Sequence, residues 1–198
     1  MKKILKSATV RIRSVMRDGE GSVRVGETGD GMSPAMEDFL LDTLLGPPAD
    51  EEDGDTLELT TDAVLTLENG RFSLWYPESE LSGMPGVVTR ITFLEEDPSL
   101  VSVIREGILS SVFVIEQGKQ HTGSYQISGI GELDVAVRTH TLKNHMNLSG
   151  GTLEMGYFVR IGGLATTSVQ MRVTIVRSED LTEEECASLR EYAWMPKE

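Results

Sequence analysis

The chain is poor in features that commonly fix a protein's class. Of its 198 residues one is cysteine, Cys186, so no internal disulfide holds the fold. There is no run of 18 apolar residues, which excludes a transmembrane helix. Lys2 and Lys3 are followed only by Ile4 and Leu5 before Lys6, too short an apolar stretch for a secretion signal. A free thiol and no leader give the expectation of a cytoplasmic protein. No proline lies between Pro98 and Pro196. Proline cannot donate to a β-ladder, so its absence suits uninterrupted strand pairing over that span.

Positive charge is missing from one long segment. Residues 26–56 hold ten acidic side chains and no Lys or Arg, and residues 178–198 hold seven acids against two bases. The formal net charge of −14 therefore belongs to two appendages, and the remainder is close to neutral. This balance argues against nucleic acid, whose phosphates need clustered Lys and Arg. Residues 1–25 are the exception, with seven bases and two acids. Arg11 and Arg13 share a strand face there, with Arg17 further on, and read as a solvated face that balances the appendages.

Catalytic signatures are absent as well. Gly26-Glu27-Thr28-Gly29-Asp30-Gly31 has glycines but no strand–helix unit around it, and there is no HExxH, CxxC or GxSxG. His121, His140 and His145 have Glu132 and Asp134 nearby in sequence but no metal-ligand spacing, and read as loop histidines. Asn147-Leu148-Ser149 matches a glycosylation triplet, which has no meaning without secretion.

What the chain does have is a period of two, the strand period. Residues 4–16 place Ile4, Ala8, Val10, Ile12 and Met16 on one face and Lys3, Ser7, Thr9, Arg11 and Arg13 on the other. Residues 57–67 alternate in the same way, with Leu57, Leu59, Ala63, Leu65 and Leu67 on the apolar face. Asn69-Gly70 follows, then Phe72, Leu74 and Tyr76, a strong hairpin signal. Further strands are expected over 86–95, 100–105, 109–116, 120–128, 132–139, 151–161 and 166–177. Turns are expected at Glu96-Asp97-Pro98-Ser99, Glu106-Gly107, Glu116 to Lys119, Ser128 to Gly131, Thr139 to Asn147 and Gly162-Gly163. About ten strands joined by short turns predict an all-β, closed antiparallel up-and-down barrel of about 8–10 strands over residues 1–177. In the insert, Ser33 and Pro34 open an expected helix over 33–45, and the charged stretch after it, to residue 56, suits a mobile segment. Thr182 and Glu185 fit a capping box for a short helix from Glu183 to Ala193, within an acidic tail spanning 178–198.

Few residues carry chemistry. Glu78 and Glu80 alternate onto one face after Tyr76-Pro77, and paired carboxylates can do acid/base work when buried. No nucleophile or metal partner accompanies them. Arg105 ends an apolar strand, and Tyr125 sits mid-strand among small and polar residues. A charge inside a barrel is costly unless paired. An inward Arg105 is expected to meet an acidic side chain or backbone carbonyls near Tyr125, either as a plug of hydrogen bonds or as the anchor for a ligand's acid group.

These residues belong to a longer pattern. It runs from Tyr76-Pro77-Glu78 with Gly83 through Arg105-Glu106-Gly107, Phe113 and Gly118. It continues with Tyr125, Gly131-Glu132-Leu133 and Thr139, and ends with Gly150-Gly151 before Tyr157. In this order and spacing residues 57–177 resemble the YwiB-like family, bacterial proteins grouped as a domain of unknown function with a calycin-type barrel. Residues 4–16 would be its first strand. Ile130 stands where the family pattern has an aromatic, and the insert and tail have no counterpart. The resemblance implies a lipocalin-like barrel with no established activity and no cofactor, and adds Tyr76, Thr139 and Tyr157 to Glu78, Arg105 and Tyr125 as candidate ligand contacts.

The expected function is non-catalytic binding of a small, partly apolar or anionic ligand inside the barrel, with no metal, nucleic acid or membrane involved. The alternative is a protein–protein interaction module with a solid core, acting through its outer surface or acidic insert. A homodimer fits either reading. Interior volume decides between them.

Overall fold

The structure, a computed structural model, describes residues 3–18, 55–128, 131–162 and 167–181. The helices expected over 33–45 and 183–193, and the segment 46–54, lie outside the described residues.

Ten strands account for nearly all of the rest: β1 (Lys3–Asp18), β2 (Asp55–Glu68), β3 (Arg71–Pro77), β4 (Val88–Leu94), β5 (Asp97–Glu106), β6 (Leu109–Glu116), β7 (Gln120–Ile127), β8 (Gly131–Asn144), β9 (Gly151–Ile161) and β10 (Thr167–Asp180). Each pairs antiparallel with the strands beside it in sequence, and β1 pairs with β10 to close the barrel. The up-and-down barrel implied by the alternation is thus the fold. Among the described residues the helical structure is one 3-10 turn, Glu80–Ser82, and no helix is long and apolar enough to cross a membrane.

Alternation sorts the side chains as the sequence implies. Ala8, Val10 and Ile12 on β1 and Leu59, Ala63 and Leu65 on β2 are buried in the interior. Arg11 and Arg13 are exposed, and Arg13 pairs with Glu58 across β1–β2 at 3.3 Å. On the neighbouring wall Glu154 bridges Arg172 at 2.7 Å and Lys143 at 3.7 Å. Asn69 and Gly70 both take positive φ, 52° and 73°, as a tight hairpin turn requires.

Three local expectations are corrected. The β4–β5 turn is Glu95-Glu96, and Asp97 and Pro98 already belong to β5. Leu94 pairs with Asp97, and an irregularity in the ladder beside Leu94 accommodates the change of register. β8 does not end at Thr139. A bulge between Thr139 and Thr141 lets it run on to Asn144, so His140 is a strand residue rather than part of a turn. β10 extends to Asp180, beyond the expected limit of 177.

Layering along the barrel axis positions the site. At the end carrying the tight hairpins, Phe72 stacks on Phe93 with ring centroids 4.7 Å apart. The next layer, Leu74–Ile91–Val103–Phe113, is in register from β3 to β6 and wholly apolar. One pleat further on, register aligns Tyr76, Thr89, Arg105, Ser111 and Tyr125 across β3 to β7. Paired residues share a face of the sheet, so these five form a polar row on the inner wall directly above the apolar floor.

Candidate functional site

Above the floor the barrel is not filled. A cavity of about 490 Å³ opens toward the end holding the 3-10 turn, and Tyr76, Glu78, Arg105, Tyr125 and Tyr157 line it. Of the six residues expected to contact a ligand, these five therefore reach one space. Thr139 does not line it: the residue is buried beside Tyr157 in the β8–β9 ladder, and its hydroxyl has no hydrogen-bond partner among the described residues.

Arg105 is held from two sides. Its Nη1 donates to the Tyr125 hydroxyl at 2.8 Å. Its guanidinium carbon lies 5.7 Å from the centre of the Phe113 ring, and Phe113 meets Tyr125 edge-on at 5.5 Å. The expectation of an acidic or carbonyl partner is corrected: among the described residues the bonded partner is a neutral phenol, and no carboxylate lies within ion-pair distance. The buried Nε has no partner. The Nε–Nη2 edge, the side of a guanidinium that meets a carboxylate with two parallel bonds, is thus free of hydrogen bonds among the described residues.

Glu78 is placed by the backbone just past β3, where its N–H donates to the Val87 carbonyl at 2.8 Å. Its Oε1 accepts from the Thr89 hydroxyl at 2.6 Å. Thr89 belongs to the polar row, so the carboxylate is tied to the same belt as Arg105 without touching it. Glu80 also lines the cavity, from the 3-10 turn.

Electrostatics follow from burial. Desolvation drives the Tyr76 phenol well above its ordinary range, and the Glu78 charge adds to the rise. Tyr157 is pushed up to about 12, by burial first, with Arg105 acting against it. Burial on its own disfavours the Arg105 charge, but Tyr125, Glu78, Tyr157 and Tyr76 outweigh it, and the guanidinium holds its proton more firmly than usual.

The other half of the cavity wall is mostly apolar, apart from Ser14, Thr56 and Tyr157. Leu57, Leu59, Val159, Ile161, Val169 and Met171 supply it from β2, β9 and β10, with Ile12 and Met16 from β1. Sequence reasoning had placed several of these inward but not at a ligand site. An inward Val in a packed layer and one beside an empty volume carry the same local signal.

The histidines stand apart from this cavity. His121 Nε2 lies 3.0 Å from Glu116, His140 contacts Thr141 and Phe158, and His145 is exposed. Among the described residues no three His, Cys, Asp or Glu side chains gather as a metal site would need.

Residues 48–173 match the family described as "Domain of unknown function (DUF1934)". The chain belongs to this family. The crystal structure of the ywiB protein from Bacillus subtilis is similar to this fold, with a TM-score of 0.59 and 16% sequence identity over 91% of this chain and 94% of that one. At that identity the likeness speaks for the barrel alone. No curated protein matches the chain.

Proposed function

We propose that this DUF1934 barrel binds a small amphipathic molecule whose acidic group sits on Arg105. The observation that carries the reading is a guanidinium lining a cavity of about 490 Å³ whose Nη2 makes no hydrogen bond among the described residues. The charge is favoured by Glu78 and the phenols around it but makes no ion pair within the barrel, and an incoming carboxylate would supply one. The cavity volume falls in the range of small-molecule sites, and its walls combine an apolar majority with a few convergent polar groups.

The same volume weighs against the alternative of a solid-core interaction module, and the acidic insert on which that reading leans lies largely outside the described residues. The proposal is one of binding rather than turnover. Glu78 is engaged by Thr89, and among the described residues no histidine lines the cavity. We place this activity in the cytoplasm, in keeping with the lone cysteine.

Native mass spectrometry of freshly purified protein tests the reading. A small-molecule adduct lost on denaturation is the expected result. Protein without an adduct, whose melting temperature also stays fixed in millimolar carboxylates, would overturn it.

A further inference from the structure

The cavity is divided lengthwise. Strands β3, β5 and β7 present Tyr76, Arg105 and Tyr125 of the polar row, and strands β1, β2, β9 and β10 present mostly aliphatic side chains, with Ser14, Thr56 and Tyr157 as the exceptions. A bound molecule therefore meets hydrogen-bonding groups along one flank and hydrocarbon along the other. The cavity is also shallow. Phe72, Leu74, Ile91, Val101 and Ile115 fill the far half of the barrel, fully buried and outside the lining, so the cavity ends at the layer of Phe113, just beneath the polar row. Along β1 the lining runs from Ile12 to Met16, four residues and so about 13 Å. A stretched hydrocarbon tail would have to leave through the mouth and forgo burial. A rigid ring fits instead, one edge on the polar row and one face on the aliphatic wall, where Met16 and Met171 can adapt to its outline.

Glu78 adds a second requirement. It lines the same space as Arg105 and makes no ion pair with it, so a carboxylate arriving at Arg105 has to share the guanidinium's field with the Glu78 carboxylate. A donor group on the ligand, directed at Glu78, converts that competition into a hydrogen bond.

Building on the binding function proposed above, we infer that the ligand class is a planar aromatic carboxylate bearing a hydroxyl or amino donor that reaches Glu78. Arg105 takes the acid through Nη2, Glu78 accepts from the donor, and the aliphatic wall covers the ring.

Four probes test this by intrinsic fluorescence or calorimetric titration of the full chain: 6-hydroxy-2-naphthoate, 2-naphthoate, 2-naphthol and decanoate. The expected order places 6-hydroxy-2-naphthoate first, about tenfold or more tighter than 2-naphthoate, since a hydrogen bond to a charged group is worth at least that factor. Naphthol and decanoate follow. Two variants separate the roles. Arg105→Lys keeps the charge but loses the planar guanidinium that bonds Tyr125 and the acid at once, and should weaken both naphthoates about tenfold while leaving naphthol unchanged. Glu78→Gln should tighten 2-naphthoate and shrink the advantage of the 6-hydroxyl. Decanoate binding as tightly as 2-naphthoate, or a 6-hydroxyl without effect in the unaltered protein, would overturn the ring-and-donor inference while leaving carboxylate binding intact. Failure of every carboxylate to bind would overturn the binding function itself.

Discussion

Arg105 carries its charge next to a phenol, and that choice of partner sets what its removal costs. A hydrogen bond between a charged and a neutral group contributes about 1.5–3 kcal/mol, whereas breaking a buried ion pair costs about 3–5 kcal/mol because the other charge is stranded. Arg105→Ala strands only the Tyr125 hydroxyl. Urea denaturation should therefore show a loss of about 1–3 kcal/mol, and a loss well above that would mean that Glu78 is bonded to Arg105 directly. The buried phenols make a separate prediction about pH. Tyr157 keeps its proton to about 12 in the folded chain, and Tyr76 keeps its own further still. In the unfolded chain both ionise near the ordinary value of 10. The stability tied to Tyr157 is complete below about pH 10 and is lost as pH rises through about 12. Urea midpoints measured across that window should fall steeply, and Tyr157→Phe should make the fall shallower. An equal slope in the variant would show that Tyr157 titrates normally.

At the scale of strands and turns, the backbone leaves little freedom at two glycines. Gly70 completes the Asn69-Gly70 turn with φ of 73° and open space around it, so Gly70→Ala should cost only the left-handed conformation, about 1–2 kcal/mol. Gly107, between β5 and β6, has φ of 149°, and a Cβ there would fall on the Gly86 carbonyl oxygen. Backbone cannot yield as a flexible side chain can, so Gly107→Ala should be the more damaging of the two in thermal unfolding. It should also disturb binding, because Arg105 lies two residues away. Comparable melting temperatures for the two variants would contradict this packing. The strands themselves were legible from alternation, since one face is core and the other water, and Asn69-Gly70 announced its hairpin. The bulge after Thr139 was not legible, because a bulge is fixed by the partner strand and leaves no local mark. Pro98 pointed to a turn, although the Glu95-Glu96 hairpin had already made the reversal. Arg105 and Tyr125 stood out as polar residues in apolar strands. Their alignment into one row, and the packing of Leu74 and Val103 beneath it, depend on register across five strands, which single segments do not encode.

For the molecule as a whole, closure rests on β1 and β10, the strands furthest apart in sequence, which pair over nearly their full lengths from Lys6–Asp180 to Asp18–Thr167. A chain ending at residue 166 keeps β1 to β9 but has two free edges and an open core. It should lose its cooperative unfolding transition and bind apolar dyes, and a sharp transition in that fragment would show that closure is dispensable. The same seam governs when binding can begin. Every other ladder joins strands that are neighbours in sequence and can form as the chain grows, but the aliphatic wall of the cavity takes Ile12 and Met16 from the first strand and Val169 and Met171 from the last. No chain still short of β10 owns that wall. A ligand cannot template the folding of the nascent protein, and can only be captured after synthesis has passed the final strand.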